Sequence, residues 1–258
     1  LLGILLYLTV KEPPRGRYDT GNEAAKQATD LKRTLKSLAG NKVYVRVSIS
    51  FAMLTMVGYA MALWLAPIML RNFDVSLGKV GLYLGTTYVL GGIPGPLIGG
   101  YLTDYMVKLD ARWRAWIPAI FILSSVSTFW FCLSADSLWG FLGFFALTYA
   151  LFMIPQGASL SMLQSSVGSG ERALGTSFAL LITTIVGLAI GPLLIGLLSD
   201  MLAPTYGAKS LNYALMTVCG TAALIAALCY FWTSRAMSSE LDVDKGMADD
   251  SEEIELTT

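Results

Sequence analysis

The side chains able to do chemistry in this 258-residue chain are mostly neutral and aromatic. Tyr59 and Trp64, then Thr86, Thr87 and Tyr88, then Tyr149, Gln156 and Ser159 all fall inside long apolar windows. Such groups stack and hydrogen-bond; they do not cleave bonds unaided. They are candidate contacts for a bound organic molecule. Pro155-Gln156-Gly157 is the most promising local break, because a proline frees a carbonyl that can face a cavity. Each residue also has a structural alternative: a Ser or Thr can bond back to its own helix, and a Tyr or Trp can sit at a membrane interface. A cavity built from these groups holds few fixed charges, so it suits an amphipathic or lipid-like molecule better than a sugar or a free ion. There is no His, no G-x-S-x-G and no pair of carboxylates within one window. An acid–base site would need such groups, so no catalytic residue is assigned and no enzymatic activity is expected. Cys132, Cys219 and Cys229 lie in apolar windows without metal-ligand spacing and read as small buried residues. No metal and no cofactor is expected.

The elements that must position these residues are six windows with no charged residue: 47–70, 80–103, 115–135, 137–170, 173–199 and 210–234. About 20 apolar residues cross the hydrocarbon core as a helix. In lipid each backbone polar group must pair within its own segment, which selects helices over open strands. Apolar residues make up 55% and charged residues 14% of the chain, against about 25% charged in soluble domains. The expected fold class is an all-α integral membrane protein with six transmembrane helices.

Net charge is zero but uneven. Residues 11–42 hold eight Lys/Arg against four acids, and the tail from 235 onward is acidic. Lys/Arg mark the cytoplasmic side. That places the 11–42 segment, the 104–114 loop, the 170–173 turn and the 235–258 tail inside, and the opposite loops outside. The tail is expected to be solvated and disordered. Ala24, Ala28, Leu31, Leu35 and Leu38 recur at helical spacing among Lys32, Arg33 and Lys36, which predicts an amphipathic helix at the inner face near anionic lipids. The partners expected are membrane lipids, not nucleic acid, and the site an inner or plasma membrane. Residues 1–10 are apolar but too short to span a bilayer. They read as the end of a preceding transmembrane helix, which makes the chain a piece of a longer protein.

Two windows share one string. Residues 91–104 align without gaps to 187–200 in the pattern G-x3-G-P-L-x2-G-x-L-[ST]-D, matching Gly91/Gly187, Gly95/Gly191, Pro96/Pro192 and Asp104/Asp200. The windows are three apart, so they cross in opposite directions. This predicts a 3+3 inverted repeat, an architecture recurrent in secondary transporters. The glycines let helices approach closely and the prolines supply bending points.

These residues resemble the C-terminal six-helix half of the major facilitator superfamily. Gly100-Tyr101-Leu102-Thr103-Asp104 followed by Arg112-Trp113-Arg114 is similar to its signature loop, although Tyr105, not a basic residue, follows the aspartate. Lys11-Glu12-Pro13-Pro14-Arg15-Gly16 and Asp110-Ala111-Arg112-Trp113-Arg114 resemble the spinster-like branch. The resemblance implies half of a twelve-helix transporter working by alternating access. It implies an N-terminal six-helix half as the other cavity wall and a lysolipid-like or other small organic solute. No ionisable residue lies deep in any window here, so a proton-coupling carboxylate is expected in that other half. Asp104, Arg112, Arg114, Glu171 and Arg172 are candidate gating residues. Asp104 is expected to face the start of the fifth window near Glu171 and Arg172. A carboxylate meeting a helix N-terminus there gains about 0.3–1 kcal/mol when exposed and about 2 kcal/mol when partly buried; the alternative role is a topology anchor. Two other readings stay open. One is a structural or assembly membrane protein, and the other a six-helix half-transporter that homodimerises.

Overall fold

The computed structural model describes residues 31–168 and 171–255, with side chains described from Arg33 to Arg235 apart from 169, 170 and Ala208. Residues 1–30, holding the apolar stub, Ala24 and Ala28, lie outside them. The chain divides at Leu38 into two compact units. Of the first, residues 31–37 are described; they belong to α1 (Leu31–Gly40). Within α1, Thr34 and Leu38 are buried while Arg33, Lys36 and Ser37 are exposed, as an amphipathic helix requires.

The second unit is helical throughout its described residues. It runs α2 (Lys42–Asn72), α3 (Leu77–Gly92), α4 (Pro94–Val107), α5 (Trp113–Leu133), α6 (Leu138–Ser165), α7 (Arg172–Thr184), a π-helical segment (Ile185–Ile190), α8 (Gly191–Tyr206) and α9 (Ser210–Glu255). Asn41 caps α2 by accepting from the Val43 and Tyr44 amides, and Ser137 caps α6 through the Gly140 amide. The α9 backbone stays helical to Glu255, where a disordered tail was expected. The tail holds no proline and one glycine, Gly246, among good helix formers.

Among the described residues five helices are long and apolar enough to cross a membrane: Lys42–Asn72, Trp113–Leu133, Leu138–Ser165, Arg172–Tyr206 and Ser210–Arg235. The window at 80–103 departs from the expected six continuous spans. It breaks at Ile93 into α3, of 16 residues, and α4, of 14. Pro94 gives no amide to the Leu90 carbonyl and its ring crowds that carbonyl; Pro96 does the same at Gly92. The matching stretch of the repeat is irregular at the same place. Ahead of Pro192 the ladder loosens into the π-helical segment, and the Gly191 amide reaches the Val186 carbonyl.

Polar contacts at the two ends of the long helices give their directions. At one end the Asn41 side chain donates to the Ser166 carbonyl, the Tyr44 hydroxyl to the Gly175 carbonyl, and the Trp116 indole to Ser234. These tie the start of α2 to the end of α6 and the start of α7, and the start of α5 to the Ser234 turn of α9. At the other end Asn212 donates to the Leu133 carbonyl and Ser199 meets Ser210. Neighbouring long helices therefore run in alternating directions.

The α3–α4 pair lies on α6, while α7, the π segment and α8 lie on α2; α5 packs on α6, α9 on α2, and α5 and α9 on each other. Gly95 and Gly99 make the first contact close: a Cβ would lie 2.6 Å from the Ala150 carbonyl oxygen at Gly95 and 2.5 Å from the Ile154 carbonyl oxygen at Gly99. No side chain fits there. The core between helices holds Phe129, Phe141, Phe145 and Tyr230, all fully buried. The outward faces of α3, α4, α7 and α8 are lined with exposed Leu82, Leu97, Leu181 and Leu193. An apolar surface of that extent needs lipid or protein cover.

Candidate functional site

A cavity of about 370 Å³ opens between α2, α3, α6 and α7. From α2 it takes Phe51, Thr55, Gly58, Tyr59 and Ala62, one face of the helix at three- and four-residue spacing. Tyr149, Phe152, Met153 and Gln156 form the matching face of α6. Tyr88 reaches in from α3; Leu180, Thr183 and Thr184 close the α7 side.

The wall is a row of rings. Tyr88 meets Tyr149 edge-on at 4.6 Å and 79°, and Phe145 at 5.3 Å. Tyr149 stacks along Phe152 at 6.1 Å. Edge-to-face and offset pairs of this kind are each worth about 0.5–1.5 kcal/mol beyond their buried area. The Tyr88 hydroxyl is buried and has no hydrogen-bond partner. The threonine hydroxyls already donate within their own helices, Thr55 to Phe51, Thr183 to Ala179 and Thr184 to Leu180. None of the lining residues is charged. The site can stack on an apolar body and offer neutral hydrogen bonds, with no fixed charge to hold an ion.

Four of the eight residues singled out in the sequence line this cavity: Tyr59, Tyr88, Tyr149 and Gln156. The other four lie elsewhere. Thr86 and Thr87 donate to Leu82 and Tyr83 one turn back. Ser159 is fully buried, donates to the Pro155 carbonyl at 2.6 Å and accepts from the Tyr230 hydroxyl at 2.7 Å. The break expected at Pro155 is absent, since α6 runs through it as one helix; Ser159 bonds back within that helix and joins α6 to α9. Trp64 does not line the cavity; its ring carbons lie beside Gly196 of α8, and its indole nitrogen is buried and unpartnered. The apolar lining went unnoticed in the sequence, yet a signal for part of it was there. Phe51, Thr55, Gly58 and Ala62 share the helical face of Tyr59, and Phe152 and Met153 that of Tyr149.

A second cavity, of about 450 Å³, sits at the end where α4 and α6 finish and α5 begins. It holds Asp104, Lys108 and Arg114 against Gly157 and Ser161 of α6. Thr103 lines it with a buried, unpartnered hydroxyl. Neither Glu171 nor Arg172, expected to face Asp104, lines this cavity, which α6 closes. Arg112 is engaged locally, its amide donating to Asp110 at 2.8 Å and its guanidinium 4.0 Å from the same carboxylate. Among the described residues no cluster of His, Cys, Asp and Glu could hold a metal ion.

Similarity to known proteins agrees with this geometry. A family model, the Organic Anion Transporter Polypeptide (OATP) family, matches residues 11–137. The chain is 28% identical over 183 residues to a protein of Mycolicibacterium smegmatis named MFS-type efflux pump, covering 71% of this chain and 42% of that one. It is 25% identical to the sphingosine-1-phosphate transporter SPNS2 of Danio rerio, over 83% of this chain and 46% of the relative. It is 27% identical to the mouse protein spinster homolog 1, over 77% and 40%. The solved structure of a bacterial homolog to the human lysosomal transporter Spinster, in an inward-facing and unoccupied conformation, superposes with TM-score 0.66 at 20% identity. That match covers 91% of this chain and 56% of the other. The chain thus spans about half the length of the curated relatives it matches. The apolar helices and these relatives make the chain an integral, multi-pass helical membrane protein, similar to proteins of the MFS type. Several of the relatives carry the name spinster, and one of these similar proteins is named a sphingosine-1-phosphate transporter.

Proposed function

We propose that this chain is the C-terminal six-span half of a secondary transporter that moves an amphipathic organic solute by alternating access. The observation that carries the reading is the neutral, ring-lined cavity between α2, α3, α6 and α7, with the unpaired Tyr88 hydroxyl in its wall. A lysolipid or sphingoid chain would lie along the rings, and its charged head would be held by the other half of the protein.

A 3+3 inverted repeat is supported by the packing. Exchanging α2 with α6, the α3–α4 pair with the α7–π–α8 stretch, and α5 with α9 maps the contacts of one set onto those of the other. In this reading α3 and α4 together make the sixth crossing. The ends holding Asp104, Arg114 and Arg172 face the cytoplasm, as their Lys/Arg content predicts. The breaks at Ile93 and at Ile185–Ile190 are where the cavity walls flex as the halves rock, while Asp104, Lys108 and Arg114 hold the inner side closed.

The protein reconstituted into liposomes tests this through counterflow of radiolabelled sphingosine-1-phosphate and lysophosphatidylcholine, with glucose as control. Saturable exchange of an amphiphile, weakened by Gln156→Ala, is the expected result. Exchange of neither amphiphile, or equal exchange of glucose, overturns it.

A further inference from the structure

Gly58 lies in the middle of the α2 face of the ring-lined cavity, opposite Phe152 of α6. A Cβ at Gly58 would stand 2.7 Å from the Phe152 Cζ and 3.1 Å from its Cε1. The tip of the ring therefore rests in the space where any other residue would have a side chain. Phe152 is 2% exposed and lines the cavity beside Gly58. We propose that Gly58 sets the width of this cavity: its missing side chain lets Phe152 seat against α2, and so decides how bulky a molecule the cavity admits. The assignment of a substrate to the cavity rests on the function proposed above; the width itself does not.

The row of rings gives the direction of the effect. A methyl at position 58 has to push Phe152 aside. Retreat along the row is blocked, because Tyr149 stacks on Phe152 and Tyr88 stands 4.6 Å behind Tyr149. Gly92 of α3 closes Tyr149 from the same side, since a Cβ there would lie 3.1 Å from its Cε1. The open direction is the lumen, about 370 Å³ that the ring would enter. A glycine at this spot in a membrane helix has the usual explanation of close helix packing. Here the atom it makes room for is the end of a side chain and not a neighbouring backbone, and both partners line the cavity.

The test reads width without any substrate. The full-length protein carries Thr184→Cys in the cavity wall, with Cys132, Cys219 and Cys229 replaced by Ala, and is labelled in nanodiscs with N-methylmaleimide and with the far larger fluorescein maleimide. Gly58→Ala should leave the small reagent's rate within about twofold and slow the large one roughly tenfold, in line with the usual cost of overpacking. Phe152→Leu, which lacks the ring tip, should restore the large reagent's rate in the double variant and raise it when made alone. The single Phe152→Leu variant keeps the proposal falsifiable if Gly58→Ala does not fold. Equal slowing of both reagents by Gly58→Ala, or no change in the large reagent's rate with Phe152→Leu, overturns it. A size-selective labelling pattern together with no exchange of sphingosine-1-phosphate or lysophosphatidylcholine would leave the width determinant standing and refute the transport reading.

Discussion

Two side chains separate contact from scaffold at the scale of the residue. The Tyr88 hydroxyl is buried in the cavity wall without a partner, while the Ser159 hydroxyl is buried with two. Removing an unpaired buried polar group relieves a desolvation penalty; removing half of a buried pair creates one, of about 1–3 kcal/mol. Tyr88→Phe should leave the unfolding temperature unchanged or slightly higher and weaken binding of a hydroxyl-bearing amphiphile, measured by equilibrium dialysis. Unchanged affinity would remove Tyr88 from the list of contacts. Ser159→Ala should destabilise the protein by about 1–3 kcal/mol in thermal or denaturant unfolding, because the fully buried Tyr230 hydroxyl then has no acceptor. Adding Tyr230→Phe should recover most of that loss. A Ser159→Ala protein of normal stability with lost solute binding would instead return Ser159 to the site.

The decisive feature at the scale of the element is the irregularity shared by the two copies of the repeat. Both carry a glycine-rich stretch ahead of a proline, and both depart from the α-helix there, one by breaking and one by widening. Two prolines in three residues, Pro94 and Pro96, remove two consecutive-turn hydrogen bonds; Pro192 alone removes one. That difference in count is a sufficient reason for a break in the first copy and only a π segment in the second. The glycines seat side chains of the cavity as well. A Cβ at Gly187 would lie 2.9 Å from the Tyr59 Cδ2, and one at Gly91 3.1 Å from the Tyr149 Cβ. Pro94 opens α4 at its first position, where a missing amide costs little, so Pro94→Ala should change the unfolding temperature only slightly while giving the Leu90 carbonyl a donor. It should also slow solute exchange at equal protein level. A variant that exchanges solute at the original rate would show that the break is not a moving part.

The charges at the scale of the whole molecule sort to the helix ends, and the interior of the bundle runs on neutral groups. Asp104 shares its cavity with Lys108 and Arg114 and makes no ion pair within 4.0 Å among the described residues. Asp104→Asn keeps the shape and removes the charge. It should insert normally and slow initial rates of exchange; unchanged rates at matched surface expression would sink the gating role. Side-specific cysteine labelling at Lys108 and Asp136 checks the orientation, with Lys108 reached from the cytoplasm and Asp136 from the other side.

The membrane class, five of the long helices and the repeat were legible in the sequence because they depend on local quantities: runs without charge, helical spacing, and the fixed pattern of glycine and proline. Four of the thirteen residues that line the cavity were legible for the same reason. Tyr59, Tyr88, Tyr149 and Gln156 stand out as polar or aromatic groups in apolar surroundings. The sequence could not separate them from Thr86, Thr87, Trp64 and Ser159, which look alike in composition but turn their polar atoms to their own helix or to a neighbour, or stand outside the cavity lining. That choice depends on how helices rotate about their axes when they pack, a tertiary matter. The same holds for Gly58, one glycine among 25, whose meaning comes from the ring tip that α6 places against it. It holds too for Asp104, which the order of charges along the chain put beside Glu171 and Arg172. Packing of α4 on α6 put it beside Arg114.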